Sequence, residues 1–191
     1  MLGSLQEWDK ELFIFLNNLG AEPYDGFWIF ITQIESWIPL FIILTILIFY
    51  YYPGKRGLFV FLSLVITFYI TSTFTEITKD YVTRLRPNNV ESFSGLIRVL
   101  QDPSSYSFFS GHASTSFAIT TFVVLAVRKF NKWIYLAYIW PLLFASSRIY
   151  VGVHYPGDIL AGVLAGYLVA ILCYRLSMRL LPKLRFLQNK L

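Results

Sequence analysis

Charge is scarce in this sequence. Only 14 % of its 191 residues are Asp, Glu, Lys or Arg, where soluble domains average about 25 %, while 56 % are hydrophobic and 19 % aromatic. That balance excludes an ordinary soluble domain and points to a polytopic membrane protein forming one compact helical unit. Cysteine is scarcer still. Cys173 stands alone inside an apolar stretch, which excludes an intrachain disulfide and reads as a small buried hydrophobe. The N-terminus has neither the basic n-region nor the small-residue cleavage site of a signal peptide, so no leader is expected to be removed. Histidine is limited to His112 and His154. With no cysteine cluster and no second carboxylate near His154 and Asp158, a metal centre is not expected.

What is abundant is apolar sequence in long runs. Five segments, 37–52, 58–78, 111–127, 133–147 and 156–174, are apolar enough to span a bilayer. Several are shorter than the ~20 residues of a full crossing, so their ends extend into neighbouring residues or tilt. The runs do not alternate, which selects helices over barrel strands. A sixth stretch, 27–32, together with 12–16, suggests that residues 1–35 form an interfacial or re-entrant segment or a broken first span. The expected fold is all-α, with five to six transmembrane helices in a single domain over 1–191 and a basic tail at 176–191.

The net charge of +5 does not indicate nucleic acid once the cations are placed. Lys55 and Arg56 follow the first strong span, and Arg128, Lys129 and Lys132 follow the third. Arg175, Arg179, Lys183, Arg185 and Lys190 follow the fifth. If the spans alternate, all ten share one side, which the positive-inside tendency makes cytoplasmic. No acid follows Asp158, so the tail is expected on anionic lipid. Alternation sends the 79–110 and 148–155 connections to the opposite, extracytoplasmic face. They carry Lys79, Arg84, Arg86, Arg148 and His154, with His112 and Asp158 just beyond. Cations there oppose the topology rule, and chemistry is the remaining reason for them.

Three stretches supply that chemistry. Lys79 and Arg86 are seven residues apart, two helical turns, so both can project to one side before Pro87 stops the helix. An ammonium and a planar guanidinium suit phosphate oxygens. In Phe109-Ser110-Gly111-His112, Ser110 can cap the next helix and Gly111 lets backbone approach an anion at the free N–H groups. His112 then sits where a proton donor is wanted. In the stretch from Ser147 to Asp158, a carboxylate four residues after His154 can accept from one ring nitrogen and leave the other as a nucleophile.

These stretches resemble the signature of the type 2 phosphatidic acid phosphatase superfamily: Lys-x6-Arg-Pro, Pro-Ser-Gly-His, and Ser-Arg-x5-His-x3-Asp. The match covers roughly 55–175 and departs at Phe109, where the family usually has proline. The resemblance implies a membrane lipid phosphatase that needs no metal or other cofactor. His154 would attack phosphorus to form a phosphohistidine, with Asp158 orienting the ring. His112 would protonate the leaving oxygen and then activate water. Lys79, Arg86, Ser110, Gly111 and Arg148 would hold the phosphate oxygens. The implied substrate is a lipid phosphate or diphosphate, first undecaprenyl diphosphate, otherwise phosphatidylglycerophosphate, phosphatidic acid or a lipid A-like phosphate. A lipid flippase or transporter, or a phosphotransferase with a lipid acceptor, would use the same anion site.

Outside the signature, Arg84 reads as a headgroup or loop contact, and Glu76 as a local partner of Lys79. Trp28, Trp37, Trp133, Trp140 and the run Tyr50, Tyr51, Tyr52 read as interfacial anchors. Residues 88–108, with Arg98 and Asp102, are a candidate lid.

Overall fold

The computed structural model describes residues 2–181, which form seven α-helices; short connections, several of them with 3-10 turns, join all but α4 and α5, which are linked by residues 83–110. The helices are α1 Leu2–Asn18, α2 Asp25–Thr32, α3 Ile38–Tyr51, α4 Lys55–Val82, α5 Gly111–Val127, α6 Ile139–Tyr150 and α7 Pro156–Leu180. The stretches containing α3, α4 and α7 are long and apolar enough to cross a membrane, and α5 is a shorter apolar helix. Helix α7 runs on to Leu180, into the basic segment expected over 176–191. Residues 182–191 of that segment lie outside the described residues.

Helix α4 shows why this packing belongs in lipid. Its buried stripe is Gly57, Val60, Ser63, Thr67, Thr71, Thr75 and Lys79, spaced by three or four residues. Its exposed face carries Leu58, Leu62, Ile66, Tyr69, Ile70, Phe74, Ile77 and Tyr81. Small hydroxyls point inward and large apolar groups outward, the reverse of a soluble helix. Each inward hydroxyl donates to the carbonyl four residues back: Ser63 to Phe59, Thr67 to Ser63, Thr71 to Thr67 and Thr75 to Thr71. None needs water, and Thr75 also bonds the Ser114 hydroxyl of α5 at 2.8 Å.

Helix α5 is the centre of the bundle. Its upper half packs polar side chains against α4, and its lower half joins Leu44, Ile48, Val60, Ile134 and Ala170 in the main apolar cluster. Helix α7 lies against α5 through Gly162, Gly166 and Ala170, a small-residue face that lets backbones touch. A Cβ at Gly166 would lie 2.1 Å from the Ser114 carbonyl oxygen, and one at Gly162 would lie 2.7 Å from that of Ser110.

The expected helix over 133–147 is revised. Residues Lys132–Tyr138 form a 3-10 run and only then does α6 begin. Pro141 has no N–H to give the Ala137 carbonyl, so it suits the first turn of α6 and disfavours a continuous α-helix back through 132–138. A 3-10 residue rises ~2.0 Å against ~1.5 Å in an α-helix, so the seven and twelve residues placed end to end cover about 32 Å. Trp140 is no interfacial anchor. It is 2 % exposed and packs against Trp37, Phe41 and Phe144.

These directions bring four helix ends together. The C-termini of α4 and α6 and the N-termini of α5 and α7 meet at one end, as the Thr75–Ser114 bond and the His112–Phe144 ring contact at 4.5 Å require. Lys55, Arg56, Arg128, Lys129, Lys132, Arg175 and Arg179 sit at or beyond the opposite helix ends. Helix α1 and the 83–110 connection close over the first end. Asn17 of α1, fully buried, donates to the carbonyls of Arg98, Ile149 and Tyr150 and accepts from the Arg98 N–H. Arg98 Nη2 donates hydrogen bonds to both Asp25 carboxylate oxygens, at 2.6 and 2.7 Å, fastening the connection to α2.

Candidate active site

Lys79 is the last inward residue of the α4 stripe, 7 % exposed, and its ammonium bonds Glu76 Oε1 at 2.8 Å. Arg86 does not share its helix. Helix α4 ends at Val82, Thr83 takes the left-handed conformation at φ 50°, and Arg86 is extended at φ −74°, ψ 155°. The residue before a proline avoids the helical region, so the two-turn spacing does not align these cations. Past the helix end, Arg86 reaches the 148–155 connection instead.

There Arg86 meets His154. Its Nη1 lies 2.9 Å from His154 Nε2 and 3.1 Å from the Val153 carbonyl, while Nε and Nη2 bond the carbonyl and hydroxyl of Ser105. A guanidinium has donors and no acceptor, so Nε2 must offer its lone pair and the ring proton sits on Nδ1. Nδ1 faces Asp158 Oδ2 at 3.4 Å and the Ser107 hydroxyl at 3.3 Å. Burial is the main force holding His154 neutral, pulling its pKa down to about 3. The Asp158 bond opposes that shift and Arg86 adds to it.

Asp158, 0 % exposed, is held on all sides. Oδ2 accepts from the Ser107 hydroxyl and from the Tyr155 N–H at 3.1 Å, and Oδ1 accepts from Arg84 at 2.6 Å. Ser110 caps α5 by accepting from the Ala113 N–H at 3.4 Å, and its own N–H bonds the Asp158 carbonyl. Gly111 begins α5, and a Cβ there would come within 3.7 Å of Lys79 Nζ. His112 is half-buried, lies flat on Phe144, bonds the Thr32 backbone, and stands within electrostatic reach of Arg148, His154 and Arg86. Arg148, 3 % exposed, donates to Thr32 Oγ1 and Gln101 Oε1, both at 2.6 Å, and its Nε has no partner.

The electrostatics are lopsided. Lys79 has Glu76, and Asp158 has Arg84. Among the described residues, neither Arg86 nor Arg148 is ion-paired with a carboxylate. Burying a charge costs several kcal/mol unless a counter-charge accompanies it. Two buried guanidinium groups without a carboxylate leave this end of the bundle with an excess of positive charge, which favours anions. Among the described residues, no three His, Cys, Asp or Glu side chains are grouped to hold a metal.

The PAP2 superfamily matches residues 56–181, spanning all of these side chains on α4 to α7. The chain belongs to the PAP2 superfamily. It is a lipid phosphatase of that family and a multi-pass membrane protein. It is similar to a lipid A 4'-phosphatase of Porphyromonas gingivalis, 30 % identical over 178 residues that cover 88 % of this chain and 72 % of that one. An undecaprenyl-diphosphatase of Sulfolobus acidocaldarius is 32 % identical over 171 residues, covering 87 % and 77 %. In fold it resembles the crystal structure of a transmembrane PAP2 type phosphatidylglycerolphosphate phosphatase from Bacillus subtilis. The TM-score is 0.74 at 22 % identity, over 92 % of this chain and 87 % of that one.

Within the PAP2 signature one position differs in kind. Phe109 stands in place of proline, 4 % exposed and packed on Phe74 with ring centroids 5.6 Å apart. The Phe108–Phe109 peptide bond is cis. Around the signature, sequence reasoning missed Thr32, Gln101, Ser105 and Ser107, polar residues whose partners lie 19 to 116 positions away. Nothing local marks them. Arg84 was read as a headgroup or loop contact, and that is corrected: it bonds Asp158 and Asp9 at 2.6 and 2.7 Å and lies over the Tyr155 ring at 3.8 Å. The 88–108 segment is a pinned cap, fixed through Arg98, Gln101 and the Leu100 N–H to the Val151 carbonyl.

Proposed function

We propose that this enzyme removes a terminal phosphate from a lipid phosphate or diphosphate at the extracytoplasmic face, through a phosphohistidine on His154. The carrying observation is the pair of unpaired buried guanidinium groups, Arg86 and Arg148, beside a neutral imidazole whose lone pair faces Arg86. A tetrahedral dianion supplies the missing charge. Its equatorial oxygens take donors from Lys79, Arg86, Arg148, the Ser110 hydroxyl and the Gly111 N–H, which favours the spread charge of phosphoryl transfer. The basic clusters at the opposite helix ends support an extracytoplasmic site.

As the phosphate binds, Arg86 exchanges its bond to His154 Nε2 for one to a phosphate oxygen. The Nε2 lone pair then attacks phosphorus in line, and the bond from phosphorus to the lipid oxygen breaks. His112 gives that oxygen its proton. The ring gains positive charge, which Asp158 offsets through Nδ1–H. In the second step His112 takes a proton from water, the water oxygen attacks phosphorus, and the P–N bond breaks to return the lone pair to Nε2. Proton transfer of this kind contributes about 10²–10⁴-fold.

Undecaprenyl diphosphate is the first-choice substrate, with lipid A 4'-phosphate next. The archaeal and P. gingivalis relatives support these two chemistries. The test is phosphate release in detergent from undecaprenyl diphosphate, lipid A, phosphatidylglycerophosphate and phosphatidic acid, with EDTA present. The reading expects release to persist in EDTA, to disappear in His154→Ala and His112→Ala, and to rank undecaprenyl diphosphate first. Turnover by folded His154→Ala would overturn it.

A further inference from the structure

We infer that Arg84, held in place by Asp9 of α1, is a positioning residue that aims the Asp158 carboxylate at His154, which makes α1 part of the catalytic apparatus. The inference rests on the reading of His154 as nucleophile. An aspartate χ2 torsion is broad and roughly two-fold, so it does not fix its carboxylate by rotamer preference. Partners must do so. Oδ2 has three donors on its side: Ser107, Tyr155 N–H and His154 Nδ1–H. Oδ1 has Arg84 Nη1 alone among the described residues, at 2.6 Å. Without that bond the carboxylate can turn about χ2 and lose its line to Nδ1.

Arg84 is itself over-determined. Its second nitrogen bonds Asp9 Oδ2 at 2.7 Å and its plane rests on Tyr155 at 3.8 Å. The other Asp9 oxygen accepts the Gly157 N–H at 2.7 Å, in the first turn of α7. A Cβ on Gly157 would lie 2.8 Å from Asp9 Oδ2. The contacts therefore close a ring from α7 through Asp9 of α1 and Arg84 back to Asp158 of α7. Among the described residues, the side-chain hydrogen bonds of Arg84 and Asp9 go to one another, to Asp158 and to the Gly157 N–H, and not to Lys79, Arg86, Ser110, Gly111 or Arg148. A groove of about 970 Å³ between α1 and α7, walled by Leu5, Trp8, Leu12 and Leu160, opens onto Arg84 and Asp9. It leaves room for a small cation to reach Asp158 when the arginine is cut back.

The test uses the purified full chain in detergent with a short-chain lipid phosphate. Arg84→Ala is expected to lower kcat by about 10²-fold, the scale of a misplaced catalytic group, with KM within about threefold of wild type. Added guanidinium at non-denaturing concentration restores part of kcat. Arg84→Lys keeps an intermediate rate, since an ammonium cannot fork between two carboxylates. Asp9→Asn lowers kcat in wild type and has no effect in Arg84→Ala, because Asp9 acts through Arg84. A wild-type kcat in Arg84→Ala, a loss carried by KM, or multiplicative Asp9 and Arg84 effects would each overturn the inference. If Arg84→Ala does not fold, Arg84→Lys and Asp9→Asn decide it by the same kcat and KM split. Turnover surviving in His154→Ala removes the parent reading. A dead His154→Ala beside a fully active Arg84→Ala removes this inference alone.

Discussion

Replacing Asp158 by asparagine changes one oxygen for an NH2 group at nearly constant shape, and the surroundings make that change severe. Every direction around the carboxylate is taken by a donor: Arg84 on Oδ1, and Ser107, the Tyr155 N–H and His154 Nδ1–H on Oδ2. The new NH2 must face donors whichever way the amide turns, and each lost bond to a buried group costs about 1–3 kcal/mol. Facing Arg84, it leaves that guanidinium with only Asp9. Facing His154, it drives the ring proton to Nε2, where it removes the attacking lone pair and meets Arg86 Nη1 at 2.9 Å. The expected loss in kcat is about 10⁴-fold, the size seen when a triad aspartate becomes an amide and its histidine takes the wrong tautomer. Phosphate release from a short-chain lipid phosphate in detergent measures it, with elution profile and thermal unfolding confirming the fold. A folded Asp158→Asn enzyme within tenfold of wild type would refute the tautomer reasoning.

Gly166→Leu tests the α5–α7 contact. Its Cβ would fall 2.1 Å from the Ser114 carbonyl oxygen, so destabilisation of about 3 kcal/mol or more is expected, and an unchanged Tm in detergent contradicts it. Acid stability tests the buried neutral imidazole. With His154 lowered from 6.5 to about 3 in the fold, the unfolded chain binds the extra proton first, so stability present above pH 6.5 is lost as pH falls toward 3. At pH 4.5 this amounts to at most about 3 kcal/mol. Thermal unfolding from pH 7 to 4.5 should therefore decline less in His154→Gln than in wild type, and parallel declines would count against a buried neutral ring.

The signature stretches were legible because their chemistry is carried by residue type and short spacing. Ser110 before an apolar run, and Asp158 one turn after His154 behind Pro156, announce a cap and a pair on their own. The helix directions followed from where Lys55, Arg128 and Arg175 interrupt the apolar runs. What failed was inference by distance along the chain. Lys79 and Arg86 were aligned by helical period, yet Pro87 forces Arg86 out of the helix, and its partners become Ser105, Val153 and His154. Trp140 looked like an anchor because tryptophan is common at interfaces, but it lies in the first turn of α6 and packs inward against Trp37, Phe41 and Phe144. Asp9 could not have been linked to Arg84, 75 residues away, by any local pattern. The α4 hydroxyl stripe was readable in principle, since Ser63, Thr67, Thr71, Thr75 and Lys79 recur every fourth residue.

The stereochemical course at phosphorus tests the double displacement through His154 most directly. A lipid thiophosphate made chiral with oxygen isotopes and hydrolysed in isotopically distinct water reports whether phosphorus inverts once or twice. Two in-line displacements, first by His154 Nε2 and then by water, predict net retention. Net inversion would mean that water attacks the lipid phosphate directly, and His154 would not be the nucleophile.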